Sequence, residues 1–125
     1  MNKTTRNHIR ALLWNYKEIS KSLKQISEIV LNNRINFTEY PLSEENNYAL
    51  TMNQMIFNKI FLDVVDSVLA DSTSEVKDIF TSKYLYGYPT KENNLVSCEV
   101  ALSESTIKRR DNELLREIAM RLGWN

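Results

Sequence analysis

The sequence predicts an all-α chain, in which a long N-terminal helical hairpin is followed by a C-terminal three-helix unit of helix-turn-helix form. Three observations predict it. Two Gly and two Pro in 125 residues are far fewer than turn-rich β architectures use, and 26% of the residues are charged. Apolar residues recur at three- and four-residue spacing through every long segment, and none alternates with period two. The segments are separated by proline or by residues that cap helices.

Helix 1 is expected from about Thr5 to Asn33. Its apolar residues fall at Ile9, Leu12, Tyr16, Ile19, Leu23, Ile26 and Val30, the seam of a coiled-coil-like helix, and Leu13 and Ile29 widen the stripe toward bundle packing. Such a seam fits an intramolecular core face before it fits a homodimer through helix 1. The period lapses between Asn36 and Pro41, where the proline disfavours helical geometry in Tyr40. Ser43 can cap helix 2, with Glu44 and Glu45 in the first turn, where the helix dipole favours anions. Leu50, Phe57, Ile60, Phe61, Val64, Val65, Val68 and Leu69 give it one broad apolar face ending near Ala70. Met52 and Met55 read as gap-fillers in that face. Ser72 and Glu75 have capping-box spacing, opening helix 3 over about Thr73 to Leu85, with Val76, Ile79, Phe80 and Tyr84 on its apolar side. Tyr86-Gly87-Tyr88-Pro89 is the strongest turn. The expected division is a packing or oligomerisation hairpin over 1–71 and a helix-turn-helix region over 72–125.

Charge and composition exclude several function classes. Sixteen basic residues balance sixteen acidic ones, so no bulk field draws the chain to nucleic acid or membrane. The balance hides net +5 over residues 1–34, −6 over 35–82 and +1 over 83–125. The basic first helix can pair with the acidic middle, or Lys3, Arg6 and Arg10 can add phosphate contacts. Glycines are too few for a phosphate-cradling loop, and Cys98 with His8 supplies neither a disulfide nor a zinc set, so no cofactor and no metal are expected. His8 is the only His and lies in the first turn of helix 1, while Asp63 and Asp66 read as a solvated face; no catalytic residue emerges, and the chain is not expected to be an enzyme. No apolar run approaches the ~20 residues of a membrane span, and the N-terminus lacks a signal-peptide core, so a soluble cytoplasmic protein without a membrane partner is expected.

The remaining segment carries the functional reading. Thr90 can cap a short helix from about Lys91 to Val100, and Ser103 a longer one running to Leu122, with Ala101-Leu102-Ser103 between them. A helix-turn-helix needs a small residue at the crossing, a tight turn and apolar residues fixing the second helix; Ser97, Ala101, Leu102 and Ile107 occupy those places. Ala101 stands where Gly is commonest, and a positive φ there costs about 1 kcal/mol relative to Gly. On the second helix Ile107, Asp111, Leu114, Ile118 and Leu122 point inward, and Ser105, Thr106, Arg109, Asn112 and Arg116 outward. The outward set suits base edges in double-stranded DNA: Arg109 for guanine, Asn112 for adenine, with Glu104, Ser105 and Thr106 beside them. Thr90, Lys91, Ser103, Lys108, Arg110 and Arg116 are candidates for backbone phosphates. The plainer alternative is a solvated face on which Lys108, Arg109 and Arg110 pair with Glu104, Asp111, Glu113 and Glu117. Gly123 offers a left-handed cap, and Trp124 can then fold back on Ile118 or Ala119.

The stretch from Glu99 to Ile118, EVALSESTIKRRDNELLREI, resembles the sigma-factor region-4 helix-turn-helix that reads an upstream promoter element. Leu102 to Leu115, followed by Ile118-Ala119 and Leu122-Gly123-Trp124, looks more like the C-terminal end of RinA/ArpU-type regulators of Gram-positive phages. Lys83-Tyr84-Leu85-Tyr86 and the opening Leu12-Leu13-Trp14-Asn15-Tyr16-Lys17-Glu18-Ile19 are similar to that group too, so the likeness covers the last third of the chain and part of helix 1. It implies late-gene transcriptional activation in a bacterial host, near a promoter, with host RNA polymerase as a partner. A DNA-recognition or adaptor component of phage packaging, small terminase-like, would use the same elements.

Overall fold

The computed structural model describes the backbone of residues 1–33 and 48–124 and the side chains of 1–25 and 53–124. Over these the chain is helical, with no strand: α1 (Lys3–Trp14), α2 (Tyr16–Asn33), α3 (Tyr48–Ala70), α4 (Ser74–Ile79) running into a π-helical segment (Phe80–Leu85), α5 (Asn93–Val100) and α6 (Glu104–Leu122). The expected break over 36–41 and the Ser43, Glu44 and Glu45 cap fall outside the described residues, as do the side chains of Ile26, Ile29, Val30, Leu50 and Met52.

The single helix expected over 5–33 is two. Asn15 separates them, with φ −99° and ψ 9°; its N–H donates to the Leu12 carbonyl and its side-chain amide donates to the Ala11 carbonyl, each at 3.0 Å. An Asn side chain offers the backbone a local alternative to the helical ladder, which apolar periodicity does not register. The break lets the two flanking aromatics serve different neighbours. The Trp14 indole donates to the Lys83 carbonyl at 2.9 Å, while the Tyr16 hydroxyl donates to Asp66 near the end of α3 at 2.6 Å. Leu23, further along α2, shares a small apolar groove with Met55, Ile56 and Ile60, so α2 and α3 run antiparallel. Ile60, expected in the core, is 51% exposed on that side.

One core serves both halves of the chain. Ile9 and Leu13 of α1 and Phe61, Val65 and Val68 of α3 pack with Val76, Phe80 and Tyr84 and with Leu114, Leu115, Ile118 and Ala119 of α6. Each of these larger aliphatic side chains contributes roughly 1.5–3 kcal/mol on burial. The cluster crosses the 71/72 boundary drawn from the sequence, so α6 is seated on α1 and α3 as firmly as on α4.

Helix ends divide between expected and unexpected caps. Ser103 caps α6, its Oγ accepting from the Thr106 N–H at 3.2 Å. Gly123 ends it at φ +76°, with its N–H on the Met120 carbonyl and the Trp124 N–H on the Ala119 carbonyl at 2.9 Å, the two bonds of a Schellman motif. Trp124 stacks on His8 at 4.9 Å and on Phe57 at 6.2 Å, closing the end of α6 against α1 and α3. For α4 the cap is Thr73 and not Ser72, whose hydroxyl donates back to the Val68 carbonyl at 2.6 Å. For α5 it is Glu92, without a side-chain cap bond, so Thr90 and Lys91 lie in the preceding turn.

Helix 3 keeps its expected extent but widens after Ile79 into π geometry, as the Tyr86 N–H reaches back five residues to the Thr81 carbonyl at 2.9 Å. Gly87 makes this closure possible. A Cβ there would lie 1.8 Å from the Lys83 carbonyl oxygen, the acceptor of the Trp14 indole.

Candidate functional site

α5 and α6 are joined by the three residues Ala101-Leu102-Ser103, an arrangement compatible with a helix-turn-helix, and share a small core: Val96 of α5 and Ile107 of α6 close on Ile79 of α4, with Val100 and Leu102 packed around them. Ala101 takes the left-handed conformation, φ 58° and ψ 42°, and is the only described non-glycine residue with positive φ. The Ser97 hydroxyl donates to the Leu102 carbonyl at 2.5 Å, which fixes the turn from the α5 side. A small side chain at 97 leaves room for that bond where the helices cross.

The expected outward face of α6 is outward. Glu104, Ser105, Lys108, Arg109 and Arg116 are exposed, and Thr106 and Asn112 are half-buried at its edges. At 100° per residue, Ser105, Arg109, Asn112 and Arg116 fall within about 60° of one another. Lys108, Arg109 and Arg116 form no ion pair among the described residues. Ser103 and Thr106 are joined through their hydroxyls at 2.8 Å, and Ser105 lies 3.2 Å from Ser103, so the cap presents three hydroxyls side by side at the start of the helix.

Two residues expected at phosphates have partners within the fold. The Lys91 side chain is only 5% exposed; its ammonium donates to Glu99 at 2.8 Å and to the Ser82 carbonyl at 2.7 Å. Lys91, and then the Ser82 hydroxyl that also donates to it, hold the Glu99 carboxyl below the usual range. Arg110 pairs with Glu113 and with Glu75 of α4, each at 3.0 Å. Thr90 is exposed in the turn before α5.

The inward side of α6 is apolar except at Asp111, which is 1% exposed. Its Oδ2 accepts from the Arg10 guanidinium and the Lys83 ammonium, both at 3.0 Å, and its Oδ1 from the Tyr84 hydroxyl at 2.6 Å. Burial, and next the neighbouring Asp111 charge, push the Tyr84 hydroxyl far above its ordinary value. Lys83 also donates to Asn93 at the start of α5, at 3.3 Å. Asp111 thus ties the middle of α6 to α1, the π segment and, through Lys83, α5. Among the described residues, Arg10 of the basic first segment pairs with α6, as do Glu75 and Asp71 of the acidic middle, through Arg110 and Arg121.

Arg10, Lys83 and Lys91 line a cleft of about 640 Å³ that opens beside the start of α6, with Lys108 on its rim. Sequence spacing gave no sign of it, since its walls come from segments some 70 to 100 residues apart. Only the inward position of Asp111, a charge among apolar neighbours, pointed to a buried cation nearby.

Comparison with protein-family models, curated proteins and solved structures finds no match to this chain.

Proposed function

We propose that the chain is a sequence-specific regulator of transcription that binds double-stranded DNA through α6, acting near a promoter with host RNA polymerase as a phage or prophage late-gene activator. The observation that carries this reading is the pairing of a three-residue turn opened by left-handed Ala101 with an outward helix face on which Lys108, Arg109 and Arg116 form no ion pair among the described residues. Arg109 is the central base-reading group, with Asn112, Ser105, Thr106 and Glu104 around it, and Ser103, Lys108, Arg116 and Thr90 hold phosphates. Lys91 and Arg110 leave the phosphate set because their charges are met inside the fold. The resemblance of residues 99–118 to promoter-reading helix-turn-helix segments supports the choice of DNA over a protein partner.

Selection of bound duplexes from random DNA, followed by footprinting upstream of transcribed genes, tests the reading. One enriched motif, protected upstream of a start site and raising transcription with polymerase, is the expected result. The absence of any enriched motif overturns it, and ring assembly with engagement of a terminase motor would assign the chain to packaging.

A further inference from the structure

The cleft beside α6 adjoins the outward face at Glu104 and Lys108 and holds cationic donors without acceptors. Arg10, Lys83, Lys91 and Lys108 line it against Glu92 and Glu104. Glu99 meets Lys91, and Asp111 meets both Arg10 and Lys83, so the charges of the neighbourhood balance and what marks the cleft is donors left without acceptors. A guanidinium has five N–H donors; among the described residues Arg10 places one hydrogen bond, to Asp111, and its buried Nε has no partner. Lys83 has three donors and two hydrogen-bond partners, with its side chain 10% exposed. The Arg10 side chain is 26% exposed, but its Nε and the Lys83 ammonium are largely withdrawn from water and gain from a further acceptor. Trp14 forms part of the same lining, and 640 Å³ lies within the roughly 300–1,000 Å³ of small-molecule sites, far more than a lone phosphate fills.

We propose that this cleft binds a phosphate ester of nucleotide size, its phosphate drawn to Arg10, Lys83 and Lys108. Phosphate suits the donor set because the planar Arg10 fork and two ammonium groups match an oxyanion with several acceptors. Such a ligand touches the cations that hold Asp111, so its arrival is felt at the middle of α6. The cleft shares Glu104 and Lys108 with the edge of the DNA-reading set, but the inference is tested with no duplex present, so its failure and that of the DNA reading are distinguishable.

The test is heteronuclear NMR of the full chain titrated with adenosine monophosphate, inorganic pyrophosphate and, as the control without phosphate, adenosine. The Trp14 indole N–H, bonded to the Lys83 carbonyl, is the reporter, and Trp124, which does not line the cleft, is the internal reference. Adenosine monophosphate and pyrophosphate are expected to move the Trp14 resonance saturably and leave that of Trp124 in place, while adenosine moves neither. Arg10→Gln should weaken binding about tenfold or more. Should that variant unfold, Lys108→Gln, at an exposed position, should still weaken it about threefold, and Lys77→Gln on α4 should not. A Trp14 response equal for adenosine, equal losses in Lys77→Gln and Lys108→Gln, or no saturable response to either phosphate compound would overturn the proposal. So would a cleft that responds only when a DNA duplex is added.

Discussion

Arg109 and Arg110 are adjacent on α6 and have opposite surroundings. Arg109 stands exposed without an ion pair among the described residues, whereas Arg110 turns to Glu75 and Glu113. One residue further, Asp111 is buried under Arg10, Lys83 and Tyr84. A quarter turn of helix therefore separates charge available to a partner from charge consumed by the fold. The comparison teaches that the basic run Lys108-Arg109-Arg110 is neither a uniform binding patch nor a uniform solvated face. Its members are sorted by which neighbouring element each one meets, and a set of substitutions can test that sorting.

The largest effect is expected on the inward side. Asp111→Ala leaves Arg10 and Lys83 facing each other without their carboxylate and should cost about 3–5 kcal/mol in denaturant unfolding, because a buried charge that loses its partner stays desolvated. A loss below about 1 kcal/mol would mean that water reaches both cations. Tyr84→Phe removes one hydrogen bond to the same carboxylate and should cost about 1.5–3 kcal/mol near neutral pH. It should also change the alkaline limb. The Tyr84 hydroxyl is raised above its ordinary value in the fold, so its stabilising contribution is complete below about pH 10 and is lost as pH rises toward the folded value. Stability measured above pH 10 should accordingly fall less steeply in the variant than in the parent chain. Equal slopes would show that Tyr84 ionises alike in both states.

On the outward side the readout is binding. Arg109→Ala should leave stability within about 0.5 kcal/mol and cost about 1–3 kcal/mol in affinity for the selected duplex, with base preference relaxed at one position. Equal loss on every duplex would reassign Arg109 to a phosphate. Between the two sides lies the turn, where Ala101→Gly should stabilise the fold by up to about 1 kcal/mol, because Ala pays a steric penalty at φ 58° that Gly escapes. An unchanged midpoint would mean that the extra freedom Gly gives the unfolded chain cancels the relief.

Much of this sorting was legible from local sequence. Ser103, Gly123 and the Trp124 fold-back depend on bonds within a few residues, and Ala101 was identifiable as the left-handed position because it stands where such turns most often carry Gly. The inward face of α6, Asp111 included, followed from the helical period alone. What was not legible depends on distant or non-periodic partners. Lys91 looks like a surface cation until Glu99 and the Ser82 carbonyl close over it, and Arg10 looks like a DNA-backbone contact until α1 packs on α6 and turns it toward Asp111 and the cleft. The π segment and the break at Asn15 leave the apolar spacing intact, so periodicity passes over both. Both also shape the cleft, since they set Trp14 and Lys83 against each other.

Arg110→Ala is the smallest of these changes and bears most directly on the comparison. Both of its carboxylate partners are themselves partly exposed, so its ion pairs are screened and should be worth about 0.2–1 kcal/mol together in unfolding measurements. If the partition of α6 is right, this modest loss of stability should come with base preference unchanged, and with a dependence of binding on salt no shallower than in the parent chain, because Arg110 neutralises no phosphate. Lys108→Ala should do the reverse, keeping stability while flattening the salt dependence by about one counterion. An Arg110→Ala variant that binds with a flattened salt dependence would mean that the duplex draws Arg110 away from Glu75 and Glu113. The two neighbours would then act together on DNA, and the boundary between fold and partner would shift from between Arg109 and Arg110 to between Arg110 and Asp111.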